Sequence, residues 1–224
     1  MEIIPNVHLI PNITANPYLL IDPDGLSLID AGLPGSHRKI LRYMAELGFA
    51  PKDLKRIIIT HADFDHVGGL KALKAATGAR VYASAIEAEG IAAGHPTRPI
   101  KSRNSLVKFL FSMVTHLVKP GRLSVDEILT DGQILPVLGG LHVVETFGHT
   151  PGHVSLFAPA TGILFSGDSI VSDESGLQSS REAVTWERAE ADESARRQAA
   201  LGATIVCPGH GPVVKDAAGK FPQV

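Results

Sequence analysis

The chain opens with short apolar runs separated by turn residues: VHLIP from Val7, NPYLLID from Asn16 and GLSLIDAG from Gly25. Runs of this length bounded by Pro, Asn, Asp and Gly predict strands, and Asp24-Gly25 between the second and third predicts a hairpin. The period then changes. Ile40, Leu41, Met44, Ala45 and Leu47 recur at helical spacing, with Ser36 placed to cap the start and Gly48 to stop the helix. RIIIT at 56–60 predicts a buried strand, GGLKALKAATGA a helix between Gly68 and Gly78, and RVYAS the next strand. LHVVETF, VSLFAP, ILFSGD and TIVCPG read as further strands, with a charged helix around 187–201 ahead of the last. Strands and helices interspersed in both halves predict sheets covered by helices in layers.

One stretch breaks this rhythm. Residues 95–124 hold six Lys or Arg and no acid, and within them Leu106, Phe109, Leu110, Met113, Val114 and Leu117 form a wide apolar helical face opposite Lys108, Ser112, Thr115 and Lys119. This basic, apolar insert reads as a helix packed on the domain or on a second subunit, as a lid, or as a membrane-surface helix. An exposed apolar face there favours a homodimer.

Composition narrows the class. A chain of 224 residues with 44% hydrophobic and 20% charged positions is read as one soluble globular domain spanning 1–224. A net charge of −2 gives no whole-surface attraction to nucleic acid. Cys207, the single cysteine, cannot form an internal disulfide and sits in a strand pattern, so it is read as core. Glu2 and the early prolines do not suit a secretory signal, and the apolar stretch at 105–118 is too short to cross a bilayer and carries Lys108 and His116. The expectation is a cytoplasmic protein with no integral membrane segment. G-x-S-x-G, P-loop and G-x-G-x-x-G fingerprints are missing, which leaves serine-hydrolase, P-loop nucleotide and Rossmann readings without a motif.

The chemistry-bearing residues cluster just past apolar runs. HADFDH at 61–66 offers His61, Asp63, Asp65 and His66; GHTPGH offers His149 and His153; SGD ends on Asp168; and PGHG carries His210. Imidazole and carboxylate lone pairs are what a divalent ion needs, and strand ends feed loops that a rigid scaffold can aim at one point. Any one fragment alone also reads as a polar loop with capping aspartates or a solvated histidine.

Taken in order, LIDAG, THADFDHVGG, GHTPGH, SGD and PGHG resemble the metallo-β-lactamase fold family of metallohydrolases, over nearly the whole chain. The resemblance implies a four-layer αββα sandwich with metal ligands on loops at one edge of two sheets. It also implies that His61, Asp63 and His149 hold a first metal, that Asp65, His66 and His210 hold a second, and that Asp168 bridges them. Family members usually carry His where Asp63 stands, so the chain looks like a less common subgroup with H-x-D-x-D-H. A carboxylate is shorter, anionic and harder than imidazole, which makes the first ion a weaker Lewis acid and lets manganese or iron compete with zinc. The alternative is an Asp63 that points away, leaving only the second site filled.

Asp30 reads either as a turn cap or as a carboxylate bonded to the motif loop or to a ligand histidine. His153 reads as orienting a ligand, touching substrate or making a structural hydrogen bond. The resemblance further implies two divalent ions sharing a bridging hydroxide that attacks the carbonyl of a small ester, lactone or thioester, with Asp65 and Asp168 as the catalytic carboxylates. A small acyl compound is the expected substrate and partner. Phosphodiester or β-lactam hydrolysis on the same fold, and a non-catalytic binding module on a degenerate scaffold, are the competing readings. The tyrosine that acyl-homoserine lactonases place near the metals has no obvious match, since Tyr18, Tyr43 and Tyr82 all lie in the first half.

Overall fold

The computed structural model describes residues 1–98 and 121–224. The helix expected within 95–124 falls on 99–120, outside the described residues. The described chain divides into two compact units, one of residues 1–97 with 121–128 and one of Arg98 with 129–224. Each is built around its own sheet.

The first unit runs β1 (Glu2–Ile4), β2 (Val7–Leu9), β3 (Tyr18–Asp22), β4 (Gly25–Ile29), α1 (His37–Glu46), β5 (Leu54–Ile58), α2 (Phe64–Val67), α3 (Leu70–Thr77), β6 (Arg80–Ser84), α4 (Ala85–Ala93) and β7 (Glu127–Leu129). The seven strands lie side by side in chain order. Pairing is antiparallel from β1 to β4 and parallel from β4 through β5 to β6. The expected hairpin forms, with Asp22 opposite Gly25 across a two-residue turn. Leu26 and Leu28 of β4, Ile57 of β5 and Val81 of β6 share a core with Ile40 and Met44 of α1 and Leu70 and Leu73 of α3. Burying each such side chain is worth about 1.5–3 kcal/mol, so the apolar stripe of α1 suffices to dock it.

Two expectations are corrected here. Ser36 precedes α1, but its backbone is already helical and its side chain makes no cap hydrogen bond. The helix expected between Gly68 and Gly78 forms as α3, with Gly78 ending it in the left-handed region, and a further short helix, α2, precedes it inside HADFDHV. The strand expected at 56–60 ends at Ile58, which leaves Ile59 and Thr60 to lead into the motif loop. The helix α4 has no counterpart in the sequence reading, because AIEAEGIAA has little apolar period; the Ser84 hydroxyl caps it by accepting from the Glu87 amide.

The second unit runs β8 (Ile134–Leu135), β9 (Leu141–Glu145), β10 (Val154–Ala158), β11 (Ile163–Gly167), β12 (Ile170–Asp173), β13 (Gly176–Ser179), α5 (Arg188–Ala199), β14 (Ile205–Pro208) and β15 (Val214–Lys215). Its main sheet has the order β15-β14-β11-β10-β9-β8, antiparallel except where β14 pairs parallel with β11, while β12 and β13 form a separate hairpin. A parallel neighbour needs a crossover, and the charged helix expected around 187–201 lies within it as α5. Every residue of β10 and β11 is buried, which accounts for their unbroken apolar runs. Ala195 of α5 packs with Phe157, Leu164, Val206 and Phe221. The two-residue strands β8 and β15, and the hairpin of β12 and β13, are too short or too polar to show a period in sequence.

Candidate metal centre

In the first unit, the loop after β5 carries four candidate ligands. His61 and His66 are completely buried, Asp63 is buried and Asp65 is partly exposed. The main-chain carbonyl of Asp63 accepts from the amides of His66 and Val67 and so starts α2, but its carboxylate does not cap that helix. The carboxylate instead has Oδ2 3.8 Å from Nε2 of His61. The ligand atoms of His61 lie within 4.8 Å of those of Asp63 and of His66, and those of Asp65 and His66 are equally close.

One buried carboxylate orients both histidines. Asp30, at the end of β4, accepts from the Thr60 amide through Oδ1 (2.9 Å) and from the Thr60 hydroxyl through Oδ2 (2.8 Å); Nδ1 of His66 is also 2.8 Å from Oδ2. A carboxylate accepts only, so His66 donates from Nδ1 and its lone pair sits on Nε2. The single hydrogen of Thr60 goes to Asp30, so Thr60 Oγ1 accepts from Nδ1 of His61 at 3.0 Å, and the lone pair of His61 also sits on Nε2. Asp30 itself holds φ at +59°, a left-handed conformation that Asp tolerates better than most residues.

A second carboxylate holds the loop from the other side. Glu87 of α4 is fully buried and accepts the amide of Ala62, between His61 and Asp63, at 2.8 Å, while Thr97 donates its hydroxyl to the same carboxylate at 3.0 Å. The glycines of the motif serve close approach rather than a left-handed turn: a Cβ on Gly68 would meet Pro34 Cδ at 2.2 Å, and one on Gly69 would meet the Ala31 carbonyl at 2.4 Å.

In the second unit, His149, Asp168 and His210 lie in the loops that follow β9, β11 and β14. Asp168 Oδ2 is 3.7 Å from Nε2 of His149 and 3.4 Å from Nε2 of His210. Nδ1 of His149 is 2.9 Å from the Ser180 hydroxyl. Gly148, at φ +122°, lets the loop pass against α5, where a Cβ would meet the Ala191 amide at 2.2 Å. His153 keeps both ring nitrogens inside the protein, with Nδ1 2.8 Å from Thr146 Oγ1 and Nε2 accepting the Asp168 amide at 3.1 Å. Cys207 is buried in β14, and burial pushes its thiol well above the usual range, as a core cysteine requires.

The sequence reading found His61, Asp63, Asp65, His66 and Asp30, which the first unit brings together, and His149, Asp168, His210 and His153, which the second does. It missed Glu87, Thr60, Ser180, Thr146 and Gln198. Thr60 alone carried a signal, as the last residue before the motif.

The donor set fits a divalent ion. Nδ1 of His61, His66 and His149 is engaged by a hydroxyl or a carboxylate, the arrangement that orients a metal-binding imidazole, and carboxylates stand beside the Nε2 atoms. Imidazole and carboxylate together suit zinc, manganese or iron. Mixed sheets whose strand ends carry such groups define an α/β protein able to hold divalent metals.

The chain belongs to the metallo-beta-lactamase superfamily, whose family model matches residues 11–210. It is 29% identical over 225 residues to the uncharacterized protein YobT of Bacillus subtilis (strain 168), with 93% of this chain and 88% of that one covered. It is 31% identical over 166 residues to the probable metallo-hydrolase YflN of the same organism, covering 71% of this chain and 62% of the relative. Hydroxyacylglutathione hydrolases also match, one from Rhodobacter capsulatus at 34% identity over 53% of this chain; the match spans 35% of that protein's length. Among solved structures, a Cronobacter sakazakii metallo-beta-lactamase superposes with a TM-score of 0.73 at 28% identity, covering 94% of this chain and 77% of that one. The fold is that of the metallo-beta-lactamases. The name of that neighbour carries the motif HARLDQ; written against it, HADFDH has Asp63 in place of Arg, Phe64 in place of Leu and His66 in place of Gln.

Proposed function

We propose that the protein is a metal-dependent hydrolase of small acyl compounds, an ester, lactone or thioester. The observation that carries it is the dual role of Asp30, which fixes two neighbouring histidines in the tautomer that a metal-binding imidazole uses, with the lone pair on Nε2. In this reading His61, Asp63 and His149 would hold one ion, Asp65, His66 and His210 would hold another, and Asp168 would serve as a further ligand. Ions held there would polarise a carbonyl oxygen and lower the pKa of bound water to about 7 in favourable cases. The chain's own residues do the rest: Asp30 and Thr60 keep His61 and His66 in the binding tautomer, Glu87 fixes the loop between His61 and Asp63, and Asp65 holds the proton destined for the leaving oxygen or sulfur. No serine or cysteine nucleophile is required. The matches to hydroxyacylglutathione hydrolases support an acyl substrate, although the chain spans about half or less of the length of those relatives.

The test is one screen of zinc-, manganese- and iron-loaded protein against p-nitrophenyl esters, lactones, thioesters and p-nitrophenyl phosphodiesters, with metal content measured alongside. About two ions per chain and turnover of an acyl substrate are expected. Turnover confined to the phosphodiesters would replace the acyl reading, and a reconstituted protein that holds no metal would end the metallohydrolase reading.

A further inference from the structure

We propose that Gln198, Ser155, Thr146 and His153 form a one-directional hydrogen-bond relay that positions Asp168, with His153 held as the Nδ1–H tautomer. The proposal rests on the reading above that Asp168 is a metal ligand, and it makes Gln198, 30 residues further along the chain in α5, a positioning residue for that carboxylate.

The direction of every bond follows from which atoms can only accept. Gln198 is completely buried; its Nε2 donates to the Ser194 carbonyl at 3.1 Å and to Ser169 Oγ at 2.8 Å. A carbonyl cannot donate, so the amide orientation is fixed and Oε1 faces Ser155 Oγ at 3.2 Å. The one hydrogen of Ser155 therefore goes to an oxygen that only accepts, either Gln198 Oε1 or the Ser166 carbonyl at 3.1 Å. Ser155 Oγ must then accept from Thr146 at 2.9 Å, which uses the hydrogen of Thr146, so Thr146 Oγ1 accepts from Nδ1 of His153 at 2.8 Å. Starting from the other end gives the same answer: the Asp168 amide donates to Nε2 of His153, which therefore carries no hydrogen. The two ends of the chain of bonds independently require one tautomer.

The relay closes around Asp168. His153 holds the main-chain amide of Asp168, Gln198 holds the side chain of Ser169, and Ser155 reaches the carbonyl of Ser166. Gln198, Ser155, Thr146, His153 and Ser166 are all fully buried, so water does not compete for these bonds. A fully satisfied buried network of this kind rigidifies what it holds. What it holds here is the turn that aims the Asp168 carboxylate at Nε2 of His149 and His210. His153 is thereby excluded as a metal ligand.

The experiment is a long-range proton–nitrogen correlation on the full nitrogen-15-labelled chain, metal-free and then zinc-loaded, with His153 assigned by the His153→Gln variant. The expected pattern is a protonated Nδ1 and a bare Nε2, unchanged by zinc. Thr146→Val, which leaves the Nδ1 hydrogen without its acceptor, should bind zinc about 10-fold more weakly in competition with a chromophoric chelator, whereas Thr146→Ser, which keeps the hydroxyl, should match the parent. A protonated Nε2, a His153 signal that shifts as a ligand does on zinc binding, or a folded Thr146→Val with parental zinc affinity would overturn the relay. If Thr146→Val does not fold, the parental tautomer decides alone. A parent chain that takes up no zinc, manganese or iron would overturn the hydrolase reading instead, while the metal-free tautomer would still decide the relay.

Discussion

The two units hold their candidate ligands by different chemistry. In the first, the motif loop hangs on two buried carboxylates, Asp30 and Glu87, each receiving hydrogens from the loop itself. In the second, Asp168 and His149 are held by hydroxyls, a neutral imidazole and an amide. Hydrogen bonds to an ionised group are roughly twice as strong as neutral ones, but a buried charge that loses its donors is correspondingly costly. The carboxylate braces therefore stiffen the first unit most and make it the more fragile to substitution. The neutral relay spreads the same task over more residues, each worth less.

The largest expected effect tests that contrast directly. Asp30→Ala removes the acceptor for the Thr60 amide, the Thr60 hydroxyl and His66 Nδ1 together, and should cost about 3–5 kcal/mol in urea denaturation. Metal content should fall as well, because both His61 and His66 lose their fixed tautomer. Thr146→Val in the second unit should cost only about 1–2 kcal/mol, since one neutral hydroxyl is lost. Equal penalties for the two variants would remove the distinction between charged and neutral braces.

Glu87 sharpens the same point by separating charge from hydrogen bonding. Glu87→Gln keeps a carbonyl oxygen for the Ala62 amide and should cost about 1 kcal/mol or less, whereas Glu87→Leu orphans that amide and should cost about 2–3 kcal/mol. The check is a pair of denaturation curves with metal content read on each sample. A Gln variant as unstable as the Leu variant would mean that the charge, and not the acceptor, is what the loop needs.

The candidate ligands were legible in the sequence and most of their braces were not. His61, Asp63, Asp65, His66, Asp168 and His210 follow apolar runs, so strand ends and polar clusters coincide in a pattern that can be read without coordinates. Asp30 was readable for the same reason, at the end of LIDAG. Glu87 bonds an amide 25 residues away and Gln198 a hydroxyl 43 residues away, and no spacing rule links such partners. Gln198 also lies in a helix that reads as merely charged, and Glu87 in one whose Ala- and Gly-rich sequence shows little period at all. Tertiary approach, not local preference, created both braces.

Asp63 is where the sequence resemblance implies a departure from the usual His, and its substitution should give an intermediate effect expressed in metal rather than stability. Asp63→Ala should lose about one of two ions per chain, and Asp63→His should keep both while shifting preference from manganese or iron toward zinc. Metal analysis after reconstitution with equimolar mixtures measures this. Unchanged occupancy in Asp63→Ala would show that Asp63 is not a ligand, despite its 3.8 Å approach to His61.

The smallest expected effect lies on the surface, where the two units are built alike. For Asp126 in the first unit and Asp131 in the second, burial alone would raise the carboxyl pKa. Hydrogen bonds outweigh it, from Lys74 and the Val81 amide in one case and from Arg197 and the Glu145 amide in the other, so both lie below the ordinary value of 3.8. A depressed folded pKa means that the stabilisation is complete above the unfolded value and is lost as pH falls through the folded one. With the side chains 32% and 39% exposed, solvent screening limits each to about 0.5–1 kcal/mol. Asp126→Asn and Asp131→Asn should therefore show similar small penalties at about pH 6, reduced by salt and gone well below pH 3. A penalty for Asp131→Asn that persists in acid would mean that packing of the Arg197 side chain, rather than its charge, is what joins α5 to the start of the second sheet.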